Sequence, residues 1–193
     1  MLVGMPIDHR YHRDERLIIR VAVLLGIIVG ILTFTLAHQL RPPVRQVTPQ
    51  EVWAYIEQIA PRAGLDPEFV YAIAWAESSL NEAARSSAAR GMMQMTRVAW
   101  REVSDESYSM AWQWQTNVRV AIDYLAFCRD FLQARSAYSY PLLAACYRYG
   151  PYYVQDQDFE IGNLRKPDNE IYRRIFGGDV RPVLPPQTQL PRQ

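Results

Sequence analysis

Asp66-Pro67-Glu68-Phe69-Val70-Tyr71-Ala72-Ile73-Ala74-Trp75-Ala76-Glu77-Ser78-Ser79 is the stretch on which the fold turns. Asp66 is suited to cap a helix and Pro67 to occupy its first turn. Val70, Ile73, Ala74, Glu77 and Leu80 then recur at three- and four-residue steps, which puts one carboxylate in line with residues that must be buried. Burial disfavours an ionised carboxylate, raises its pKa and lets it hold a proton near neutral pH. Glu77 is therefore a candidate general acid. The plainer alternative is a helix-end carboxylate that reaches solvent or pairs with Arg85 or Arg90.

Working outward, Thr48-Pro49-Gln50-Glu51 reads as a capping box, followed by Val52, Tyr55, Ile56 and Ile59 as a buried stripe that Pro61 and Gly64 end. Residues 86–90 read as a loop. Gly91-Met92-Met93-Gln94-Met95 is expected to open a short helical stretch reaching Trp100. A strong helix is expected over 117–132, another over 140–147, and a short last one over Glu170–Phe176, closed by Gly177-Gly178. No strand pair with hairpin turn chemistry stands out, so the expectation for 48–178 is a small all-α domain.

The chain of 193 residues suits one compact domain with appendages, and a formal charge of +1 gives no reason to expect a nucleic-acid partner. Lys166 is its only lysine, and no basic cluster lies on a recognisable reading helix. Residues 21–37 form an uncharged apolar run that Leu17, Ile18 and Ile19 extend past Arg20. That length spans a bilayer. Arg10, Arg13, Arg16 and Arg20 precede it, while Arg41 and Arg45 follow. The bias places a short N-terminus (1–20) in the cytoplasm, a single-pass anchor over 17–37 in the membrane, and the remainder outside. A signal peptide cleaved after Thr35-Leu36-Ala37 is the competing reading, giving an exported form. The Gly26 and Gly30 pair has the spacing of packed membrane helices. A stiff Pro/Arg linker is expected over 38–47, and a Pro-rich, unpacked tail over 179–193.

His9, His12 and His38 all fall outside the globular stretch, so no metal site is expected, and nothing resembles a nucleotide cradle or another cofactor motif. Cys128 and Cys146 fall on consecutive helices. They are either a disulfide, feasible in an oxidising compartment, or two small buried side chains.

Three blocks in order carry a resemblance: Glu77-Ser78-Ser79-Leu80-Asn81, then Gly91-Met92-Met93-Gln94-Met95, then Ala145-Cys146-Tyr147-Arg148-Tyr149-Gly150. They resemble the Glu-Ser-Ser/Gly, Gly-Leu-Met-Gln and Ala-Tyr-Asn-Ala-Gly patterns of the soluble-lytic-transglycosylase family, whose members have a lysozyme-like fold and cleave peptidoglycan. The likeness runs from about Thr48 to Phe176 and includes an Asn117-Val118 helix start and a late Asn169-Glu170-Ile171-Tyr172 segment.

The resemblance implies that Glu77 is the sole catalytic acid and then base at the bond between N-acetylmuramic acid and N-acetylglucosamine, with a 1,6-anhydro product. It implies further that the Tyr147 hydroxyl orients Glu77, that Ser86 meets the sugar acetamido group, and that Gln94 bonds sugar in the cleft. Met93, Arg148 and Tyr149 belong to the same expected substrate-binding set. Trp112, Trp114, Tyr152 and Tyr153 are further aromatics able to stack on sugar rings. Glu82, Glu102, Asp105 and Glu106 lie nearby in sequence, yet none falls in a matched block. Three departures stand out: Arg148 replaces the family asparagine, Tyr149 replaces the following small residue, and the stretch between Glu77 and Gly91 is one residue shorter than the common pattern. Arg148 could hold a muropeptide carboxylate, or pair with Glu77 and keep it ionised. Two other functions compete: a weakly catalytic glycan-binding partner of an envelope-spanning machine, and a hydrolase of the goose-type lysozyme kind.

Overall fold

The computed structural model describes residues 23–33 and 46–186. The chain divides into two compact units, Met1–Arg45 and Gln46–Gln193. In the first, residues 23–33 are helical (α1) with Val23, Leu24, Leu25, Ile27 and Ile28 exposed. Among the described residues, no helix is long and apolar enough to cross a membrane. Both ends of the expected 17–37 anchor, the 1–20 segment, most of the 38–47 linker, the three histidines and the tail beyond 186 lie outside the described residues.

The second unit is mostly helical. Helix α2 (Pro49–Ile59) starts on the expected capping box: Thr48 Oγ1 accepts from the Glu51 amide at 3.2 Å while the Glu51 carboxylate accepts from the Thr48 amide at 2.9 Å. Gly64, at φ +68°, turns the chain into Asp66, whose carboxylate accepts from the Glu68 amide at 2.9 Å and caps α3 (Pro67–Ser78). The expected one-sided stripe on α3 is incomplete. Phe69, Val70, Tyr71, Ala72, Ile73 and Ala74 are buried without interruption, so α3 runs through the core and Glu77 emerges near its end. Ser79 and Leu80, at φ 53° and 64°, then stop the helix abruptly.

The expected helix from Gly91 to Trp100 is not formed. Instead β1 (Ala89–Arg90) pairs antiparallel with β2 (Met95–Thr96) around a tight turn, and α4 (Arg97–Val103) starts only after Thr96 caps it. Gly91 at φ +75° and Gln94 at φ +46° are left-handed positions that an α-helix does not contain. Helix α5 (Trp114–Gln133) leads to α6 (Tyr140–Tyr149), α7 (Pro151–Asp156) and α8 (Glu170–Phe176). Helix α6 packs against α5, α7 and α8, and α8 also packs against α3, which brings the end of the chain to Glu77.

Cys128 and Cys146 are both buried free thiols, so the second of the two cysteine readings holds. Burial pushes the Cys146 thiol up to about 12. The segment from 179 to 186, expected to be unpacked, folds back. Arg181 bonds Asp66 at 2.7 Å and Glu68 at 3.2 Å at the start of α3, Arg174 donates to the Pro182 carbonyl at 2.9 Å, and Val183 packs on the core.

Candidate active site

Glu77 stands in a cleft of about 610 Å³ whose wall includes Gln94, Met95, Tyr147, Arg148 and Tyr149. Its side chain is 13% exposed. Burial raises its pKa above the ordinary carboxylate range, against two weaker opposing influences, the Tyr172 hydroxyl and the Arg148 guanidinium. Arg148 Nη1 lies 3.9 Å from Glu77 Oε1, too far for a hydrogen bond, and its guanidinium stacks 4.6 Å from the Tyr172 ring. Pairing with Arg148 therefore tempers the burial without reversing it, and the carboxyl can carry a proton.

The hydroxyl that meets Glu77 is Tyr172, not Tyr147. Tyr172 donates to Glu77 Oε1 from α8, and Asn169 sets its position: its side-chain oxygen caps α8 at the Ile171 and Tyr172 amides, while its Nδ2 donates to the Ala76 carbonyl at 3.0 Å. One asparagine thus ties the helix of the acid to the helix of its partner. Tyr147 instead donates to the Met93 carbonyl at 2.7 Å, with Met95 Sδ at 3.3 Å. Its hydroxyl is spoken for by the turn, whose buried carbonyl needs a donor. Burial first, and the neighbouring Glu77 carboxyl second, hold Tyr147 and Tyr172 well above the usual tyrosine value, so both remain neutral donors.

The Gly91–Gln94 turn is fixed from afar. Asn117, fully buried on α5, accepts from the Met93 amide at 2.8 Å and donates to the Arg90 carbonyl at 3.1 Å. Gly91 is packed so closely that a Cβ there would lie 2.4 Å from the Ala111 carbonyl oxygen. Ser78 closes the other side by donating to the Met92 carbonyl at 2.6 Å. Gln94 donates to the Gly91 carbonyl at 3.0 Å and still lines the cleft.

The expected residues fall into two groups. Glu77, Ser86, Gln94, Tyr147, Arg148 and Tyr149 all line the one cleft. Met93 does not join them: it is fully buried, and Met95 takes the cleft position. Trp114 packs on Tyr55, Tyr152 on Phe131 and Tyr153 on Tyr149, whereas Trp112 lines a neighbouring pocket. Glu82, Glu102, Asp105 and Glu106 are not among the lining residues, but Asp168 is, together with Arg165 and Lys166. These three, with Tyr172, had no local pattern to mark them. The late Asn169-to-Tyr172 match was the one signal pointing there. Among the described residues, no group of three or more His, Cys, Asp or Glu side chains could hold a metal ion.

The cleft thus joins a buried acid to a tyrosine hydroxyl and an arginine beside a glycine turn in a helical domain. The family described as Transglycosylase SLT domain matches residues 54–166, more than half of the chain. The chain belongs to that family. No curated protein and no solved structure matches it. The SLT domain contains Glu77, the methionine turn and α6, and the match ends at Lys166, just before Asn169 and Tyr172. Membership implies a transglycosylase whose substrate is peptidoglycan, and hence a place in the cell envelope.

Proposed function

We propose that the protein is a peptidoglycan lytic transglycosylase in which Glu77 serves as acid and then base. The observation that carries this reading is a single buried carboxyl, with raised pKa, at the wall of a sugar-sized cleft. Protonated Glu77 gives its proton to the glycosidic oxygen as the bond from the muramic C1 breaks. The substrate's own acetamido oxygen shields the developing charge at C1. The muramic C6 hydroxyl then returns a proton to Glu77 while its oxygen bonds C1, closing a 1,6-anhydro ring without consuming water. Tyr172 holds the carboxyl through the hydrogen bond, and Arg148 steadies the anion formed midway. Ser86 retains a hydroxyl proton for an acetamido oxygen, since its Oγ only accepts, from the Ala88 and Ala89 amides. Gln94 and Tyr149 complete the sugar contacts.

The second reading, hydrolysis, is favoured by one residue, Asp168, an exposed carboxylate on the same cleft. Glu77→Gln and Asp168→Asn decide between the two. Loss of muropeptide release from sacculi with Glu77→Gln alone supports the single-carboxyl route; equal loss with Asp168→Asn supports hydrolysis by two carboxylates. A scaffold that only binds glycan would keep its cellular phenotype with Glu77→Gln.

We also propose an anchor over 17–37 that leaves the SLT domain in the periplasm. Its support is the apolar run itself and the exposed apolar side chains of 23–33. Membrane fractionation of the full chain, with and without residues 1–37, tests it: the full chain should sediment with membranes and the shortened one should not.

A further inference from the structure

Beside the cleft lies a second pocket of about 290 Å³ that the reaction above does not use. Three guanidinium groups, those of Arg85, Arg90 and Arg97, line it with the rings of Tyr108 and Trp112, and it shares Ser86 and Ala89 with the catalytic cleft. Arg90 sits 4.6 Å from the Tyr108 ring and 5.4 Å from that of Trp112, while Arg97 sits 4.7 Å from the Tyr108 ring. Stacking on a ring face fixes a guanidinium plane and leaves its N–H edges free. Among the described residues none of the three arginine side chains donates a hydrogen bond or pairs with a carboxylate, although most other arginines of the domain do. Arg85 and Arg90 also face each other across an antiparallel bridge, a position where like charges repel. Three clustered positive charges, two of them set over aromatic rings and all three left unneutralised among the described residues, are complementary to an anion that arrives with the substrate.

We infer that this pocket binds the carboxylates of the peptide stem that branches from muramic acid, so that the protein selects peptide-bearing strands over bare glycan. The inference rests on the transglycosylase reading for its substrate. A stem leaves the glycan at the lactyl group of the muramic residue being cut, carries several carboxylates, and needs a site next to the sugar cleft rather than inside it. The connection through Ser86 and Ala89 provides that adjacency. A carboxylate is planar and takes two parallel N–H bonds from a guanidinium edge, which is the geometry that ring-stacked Arg90 and Arg97 present.

The test compares peptide-bearing strands with the same strands stripped of peptide by an amidase, using wild type and the Arg85→Gln/Arg97→Gln double variant. Both positions are exposed, so the fold tolerates the change. Wild type should show a kcat/KM for peptide-bearing strands at least about tenfold above that for stripped ones, and the double variant should lose that preference while cutting stripped strands as before. Equal rates of wild type on both substrates, or an equal drop on both in the variant, would overturn the proposal. Binding of both strand types to Glu77→Gln protein, with and without the two arginine changes, reads the pocket independently of cleavage. If no strand is ever cut but the binding preference persists and depends on the arginines, the transglycosylase reading fails and the pocket stands; if cleavage proceeds without any binding preference, the reverse holds.

Discussion

The Tyr172 hydroxyl donates to Oε1 of Glu77 from a residue 95 positions away, and this bond joins the end of α3 to the last helix of the domain. A hydrogen bond to a carboxylate favours its charged form, so Tyr172 holds the Glu77 pKa below the level that burial alone would set. Tyr172→Phe should raise it further. The alkaline limb of the pH–rate profile, where the acid loses its proton, should move to higher pH, with a fall of about tenfold in the maximal rate as the carboxyl loses its orientation. An unmoved limb would separate Tyr172 from the acid.

Arg148 acts in the same direction from 3.9 Å. Arg148→Asn, which restores the residue type of the family pattern, should also move the alkaline limb upward while 1,6-anhydro products continue to form. Because Arg148 stacks on Tyr172, the two substitutions share a contact, and the double variant should shift the limb by less than the sum of the single shifts. A fully additive shift would mean that the two groups reach Glu77 independently.

Glu77→Gln bears on stability as well as on activity. The folded-state pKa of Glu77 lies above its unfolded value, so its favourable contribution is complete below the unfolded pKa and is lost as pH rises through the raised one. A glutamine has no charge to bury. Thermal melts should therefore show the variant gaining on wild type as pH increases from 4 to 8, by roughly 3 °C for each kcal/mol relieved, with little difference at the acid end. A constant difference across that range would contradict the burial of an ionisable group.

Gly91→Ala places a Cβ 2.4 Å from the Ala111 carbonyl oxygen at a φ of +75°. Crowding and left-handed strain together should cost about 2–5 kcal/mol, read as a lowered denaturant midpoint. Asn117→Ala, which strands the Met93 amide and the Arg90 carbonyl, should cost about 2–4 kcal/mol by the same measurement.

These effects also explain what the chain disclosed in advance. The caps at Thr48 and Asp66, the core character of α3 and the place of Glu77 on it are local patterns, legible from neighbours three or four residues away. The stretch after Gly91 has a helix-like local pattern but forms a turn, because its geometry is imposed by Asn117, which reaches the Met93 amide from 24 residues downstream. The partner of Tyr147, the Met93 carbonyl and not Glu77, is hidden from local pattern for the same reason. A tyrosine on α6 can reach either the turn or the acid, and only the arrival of α8 decides which hydroxyl Glu77 receives. The folding back of residues 179–186 depends on Arg181 finding Asp66, 115 residues away, and no short-range pattern encodes that.

Digestion of sacculi in ¹⁸O-enriched water, followed by mass analysis of the released muropeptides, addresses the central claim most directly. Ring closure by the muramic C6 hydroxyl takes no oxygen from solvent, so wild type should release unlabelled products lighter by one water, and Glu77→Gln should release none. Reducing-end products that carry ¹⁸O, or release that survives the loss of Glu77, would contradict the account.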